Sequence, residues 1–94
     1  MNITMISSVV VGVRGLLWLC EAARDVDVEP EYMVWCGPRS VDRAHWRVQV
    51  AGRDALDRLG DRLGLGPVEL EDGLALRYGE WADLGIELHT GAGR

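Results

Sequence analysis

His45-Trp46-Arg47-Val48-Gln49-Val50-Ala51-Gly52-Arg53-Asp54-Ala55-Leu56-Asp57-Arg58-Leu59-Gly60-Asp61-Arg62-Leu63-Gly64-Leu65-Gly66 changes its apolar period partway along. Trp46, Val48 and Val50 alternate with His45, Arg47 and Gln49, the pattern of a strand with one buried and one wet face. Beyond Gly52, Ala55, Leu56, Leu59 and Leu63 recur at helical spacing. A strand that feeds directly into an amphipathic helix needs a sheet for the first and a cover for the second, which predicts an α+β domain.

The predicted helix Arg53–Leu63 carries Asp54 in its first turn, where a carboxylate complements the helix dipole, and Arg58 stands at i+4 to pair with it. Gly64-Leu65-Gly66-Pro67 stops it, glycine taking a left-handed position and proline barring continuation. Glycines 60, 64 and 66 are thereby read as helix-end residues rather than as a phosphate loop. Downstream, Val68 and Leu70 alternate with Glu69 and Glu71, and Leu74, Leu76 and Tyr78 alternate with Ala75 and Arg77. The Asp72-Gly73 pair between these runs is a strong hairpin signal. Leu84, Ile86 and Leu88 give a last strand, with Trp81 in the loop before it and residues 91–94 as a frayed tail.

Upstream, Glu31 to Cys36 is rich in β formers, is bounded by Gly37-Pro38 and reads as the first strand. A polar loop from Arg39 to Ala44 returns the chain antiparallel into residues 45–51. Ile6, Val9, Val10, Val13, Leu16, Leu17, Cys20 and Ala23 recur at three- and four-residue steps, so the run from Ile3 to Ala23 is predicted as one long helix buried along that stripe, its start capped by Ser7 or Ser8. Val9-Val10-Val11, Gly12 and Gly15 support the competing reading, a strand over 3–13 and a short helix over 15–25. The segment has no basic start and no small-residue cleavage site, and it carries Arg14, so neither a signal peptide nor a membrane span is expected. The expected architecture is a single α+β domain over 1–94 in the order α-β-β-α-β-β-β. Its sheet is four- or five-stranded and mainly antiparallel, with both helices packed on one face.

Alternation assigns Trp46, Val48, Val50, Val68, Leu70, Leu74, Leu76, Tyr78, Leu84, Ile86 and Leu88 to the helix-covered face. The open face receives His45, Arg47, Gln49, Glu69, Glu71, Arg77, Glu87 and His89, with no aromatic ring. Such a face lacks the stacking platform of a single-stranded nucleic-acid binder. Net charge points the same way: fifteen acids stand against ten basic residues, all arginine, giving −5, with the signs interspersed. Nucleic acid is therefore an improbable partner, and a nucleic-acid-associated regulator is the third-ranked reading.

Cys20 and Cys36 are expected as reduced, buried thiols of a cytoplasmic protein rather than a disulfide framework. With His45 and His89 they lack the paired spacing of a zinc site, and no metal or cofactor is expected. Cys36 and His45 would make a nucleophile and base only if they shared a face, and alternation sets them apart, so no catalytic residue is assigned and the protein is not expected to be an enzyme. Four tryptophans are an excess for this length. Trp46 suits the core, whereas Trp18, Trp35 and Trp81 are candidate protein-contact residues, together with Arg47 and Arg77 on the open face. The leading expectation is a small non-enzymatic protein-interaction domain, acting as a homodimer or as an accessory or regulatory subunit. A ligand-binding or catalytic domain with a pocket between helices and sheet is the alternative.

Overall fold

The computed structural model describes residues 3–36, 44–81 and 84–91, with side chains from Val10 onward except Val11. Because α1 already begins at Ile3, Ser7 and Ser8 are interior helix positions and do not cap its start; the burial of Ile6 and Val9, the loop over 39–43 and the tail over 92–94 lie outside what the structure describes. The order is α1 (Ile3–Asp25), β1 (Tyr32–Cys36), β2 (His45–Val50), α2 (Arg53–Leu63), β3 (Glu69–Glu71), β4 (Leu74–Trp81) and β5 (Leu84–Thr90). Residues 3–25 form one helix, so the strand reading of 3–13 falls. Trp81 ends β4, paired with Leu84, and is not a loop residue.

The five strands run β1-β2-β5-β4-β3, antiparallel throughout except where β2 and β5 pair in parallel. A parallel neighbour requires a crossover, and the chain from Ala51 to Asp83, with α2 in it, supplies one. The tight turn at Asp72 (φ 50°) and Gly73 (φ 80°) has the two positive φ values of a type I′ hairpin. Gly64 caps α2 in the left-handed conformation, its N–H donating to Asp61 O and that of Leu65 to Gly60 O. Asp54 and Arg58 pair at 2.9 Å.

On the inner side of the sheet Trp46, Val48, Val50, Leu84, Ile86 and Leu88 face Leu19, Leu56 and Leu59, and most of these are fully buried. Here α1 departs from expectation. Its buried residues are Gly12, Gly15, Leu19, Ala22 and Ala23, whereas Val10, Val13, Leu17 and Cys20 are exposed. The reason is steric: a Cβ at Gly12 would sit 2.9 Å from the Trp35 ring, and one at Gly15 would overlap Leu84. Only a helix face without side chains can lie down on paired indoles, so Gly12 and Gly15 turn inward and Val10 and Val13 turn out.

Strand β4 also departs. Glu71 pairs with Leu74 and Leu70 with Ala75, so the inner side receives Ala75, Arg77, Gly79 and Trp81. Leu74, Leu76 and Tyr78 lie on the outer side, and Leu70 is 76 % exposed rather than core. Buried Leu76 is therefore separate from the main core. Among the described residues no helix is long and apolar enough to cross a membrane.

Candidate interaction surface

Arg77 is not on the open face. It is 7 % exposed on the inner side, where Gly60 leaves room: a Cβ there would stand 2.5 Å from Arg77 Nη1. The guanidinium donates from Nε to Gly66 O (2.7 Å), from Nη2 to Leu65 O (2.9 Å) and from Nη1 to Asp57 O (3.3 Å) and Asp61 Oδ1 (2.9 Å). It ties β4 to the end of α2 and to the turn after it, a structural task that removes it from the surface anchors. Gly60 is accordingly a packing residue inside α2, not a cap. A glycine on the apolar stripe of a helix was the available signal that something bulky lies against it.

Trp18 stacks on Trp81 with centroids 5.2 Å apart, both partly buried against the core. Trp35 leans on Trp46 at the same separation, and Trp46 Nε1 donates to Gly12 O at 2.8 Å. The three candidate tryptophans are thus largely engaged within the fold. Trp35 and Trp46, with Gly12, Val13 and Leu16, line an apolar cleft of about 190 Å³ between α1 and the β1–β2 side of the sheet. Among the described residues its lining includes no charged side chain. Val13 of this cleft is exposed, as are Val10 and Leu17 elsewhere on α1; Tyr32 and Val34 of β1 are exposed too, but on the outer side of the sheet, away from the cleft. Sequence reasoning missed the exposure of Val10, Val13 and Leu17 because it took the 3–4 stripe of α1 for its buried side.

The outer side carries Arg47, as expected, but also two aromatic rings, Tyr32 and Tyr78, that alternation had excluded. Val34, Arg47, Glu87 and Tyr78 form one cross-strand row. Arg47 Nε donates to Glu87 Oε2 at 2.7 Å, and that bond, more than the charge, raises the Arg47 pKa. The four acids Glu69, Glu71, Glu80 and Glu87 outnumber Arg47 on this side, which opposes a phosphate backbone despite the rings. Cys36 pairs across β1–β2 with His45 on this side, so alternation was wrong to separate them. His45, Tyr78, Glu80 and Glu87 rim an open depression of about 340 Å³ over Gly79 and Gly85. His89 is buried, its Nδ1 donating to Thr90 O at 3.1 Å, and its Nε2 meets no partner among the described residues. Both cysteines are free, and Cys20 is exposed on α1 rather than buried.

Partial burial, first, and then Glu87, Glu71 and Glu69 hold the Tyr78 phenol above its ordinary value near 10, with Arg47 acting the other way. The unfolded chain releases this proton first, so the contribution to stability is lost as pH rises through 10. In a Tyr32→Phe background Tyr78 is the remaining tyrosine. Ultraviolet titration of that variant should give a midpoint above the free phenol, and Glu87→Gln should lower it; an unchanged midpoint would contradict the arrangement.

Comparison with protein-family models, with curated proteins and with solved structures found no match.

Proposed function

We propose that this chain is a small protein-interaction domain that works through the surface formed by α1 and β1. One observation carries the reading: Val10, Val13 and Leu17 recur at three- and four-residue steps along α1 and stand open to solvent, and Val13 also lines the apolar cleft. Single exposed apolar residues are ordinary, but three along one side of a helix that borders an apolar cleft form a patch of the kind that marks a contact site. The cleft floor, two tilted indoles, would accept an apolar anchor from a partner, the arrangement in which contact energy concentrates.

The test compares the proteins retained by the wild-type chain and by Leu17→Glu from a lysate of its native host, with quantitative mass spectrometry. Leu17 is exposed, so the substitution should leave the fold intact, as circular dichroism can check. The expected result is a small set of proteins depleted at least about fivefold by the substitution, since burying an unpaired carboxylate is costly. Identical sets from both would overturn the reading.

A further inference from the structure

The apolar side chains that α1 leaves in solvent lie in one line. Val10, Val13, Leu17 and Cys20 are exposed at steps of three, four and three, and in the sequence Ile3 and Ile6 continue these steps. Gly12, Gly15, Leu19 and Ala22, which are buried in the domain, occupy the opposite side of the helix. Steps that alternate between three and four are those of the a and d positions in a coiled-coil seam. From Val10 to Cys20 the line runs about 15 Å at helical rise.

Its two flanks differ. Arg14 and Glu21, both exposed, stand seven residues apart along one of them, at e positions. Leu16 stands along the other, at a g position, and there Val13 and Leu16 open into the cleft floored by Trp35 and Trp46. The main-chain groups of this stretch are used within the helix, so the line offers a partner apolar atoms and no backbone hydrogen bonds. An extended segment laid on it would bury N–H and C=O groups without partners. A helix arrives with its own already paired.

We infer that the partner presents an amphipathic α-helix that packs lengthwise along α1, its apolar seam on Val10, Val13, Leu17 and Cys20. This rests on the interaction reading above and names the form of the partner. Charge complementarity sets its flank: an acid opposite Arg14 and a base opposite Glu21, one heptad apart. A second copy of the chain meets this requirement poorly. The two-fold antiparallel pairing that sets Val13 against Leu17 and Val10 against Cys20 brings the two Arg14 side by side, and each chain carries −5.

Photo-crosslinking in the native host tests the inference, with p-benzoylphenylalanine replacing Val13 or Leu17 in the full chain and replacing Glu29, exposed in the loop before β1, as the control. Mass spectrometry of the adducts should place the cross-links from positions 13 and 17 in one partner segment, three or four residues apart, and none there from position 29. That segment, made as a synthetic peptide, should gain helical circular dichroism on mixing with the chain. Exchanging the flank charges, Arg14→Glu with Glu21→Arg, should weaken the peptide about threefold or more in an anisotropy titration, and exchanging the peptide's two opposing charges should restore it. Both residues are exposed, so the exchange should leave the circular dichroism of the chain unchanged.

A segment that gains no helix, adducts to lipid, or adducts to α1 of a second copy overturn the inference. Binding indifferent to the charge exchange overturns the lengthwise placement. Partners that are depleted by Leu17→Glu yet cross-link through a strand or a loop overturn only the helix and leave the interaction reading standing; neither adducts nor depletion removes both.

Discussion

Arg77→Ala should lower the free energy of unfolding by about 3 kcal/mol or more, the largest single-site effect expected in β4. The guanidinium is the partner of two main-chain carbonyls in the turn after α2, Leu65 O and Gly66 O, and it fills the space over Gly60. Its removal leaves those acceptors without a donor, at about 1–3 kcal/mol each where buried, and leaves a void beside a helix glycine that cannot fill it. The ion pair is the lesser part. Asp61 is 78 % exposed on its side chain, so Asp61→Asn should cost under about 1 kcal/mol after screening. Arg77→Lys should fall between, because an ammonium lacks the fork that reaches Gly66 O and Leu65 O together. Urea unfolding of the three variants measures this. Equal losses for Arg77→Ala and Asp61→Asn would mean that the charge, not the carbonyls, is what matters.

The second large effect is at Gly15. Replacing it by valine should cost about 3 kcal/mol or more, although glycine is the poorer helix former by about 0.5–1 kcal/mol. The two contributions have opposite signs and the packing one wins. A Cβ at this position overlaps Leu84, which is fully buried and has no solvent to retreat into, and lies within 3.5 Å of the Trp46 ring. Gly15→Ala should be destabilising by about 1 kcal/mol, the helix gain offsetting part of the overlap. Leu84→Ala costs about 2–5 kcal/mol alone, but combined with Gly15→Ala the loss should be less than additive by about 1 kcal/mol, because the overlapping methyl has gone. Thermal or urea unfolding of the four species closes the cycle. Stabilisation by Gly15→Ala would show that α1 does not rest on the sheet at this point.

Element order, the α2 boundaries, the Asp72-Gly73 turn and the Asp54–Arg58 pair were all readable in the sequence, because each depends on residues within a few positions of one another. So was the parity of the β3–β4 hairpin. A two-residue turn pairs Leu70 with Ala75, which places Leu70 and Leu74 on opposite faces. Assigning both to the core contradicted the very turn that the sequence announced.

Which face of β4 and of α1 turned inward was decided elsewhere in the chain. Apolar periodicity nominated Leu74, Leu76 and Tyr78, and Val10, Val13 and Leu17. It counted glycine as nothing and arginine as wet. In the folded protein Trp35 and Trp46 occupy the space above β1 and β2 and demand the flat glycine face of α1, while the gap over Gly60 and the carbonyls after α2 draw Arg77 inward. The chain's local order determines its elements and turns, since hydrogen bonding and φ preference act over a few residues. The facing of those elements, and with it which apolar side chains stay open to solvent, is settled by large side chains and small gaps that meet only after the chain has closed on itself.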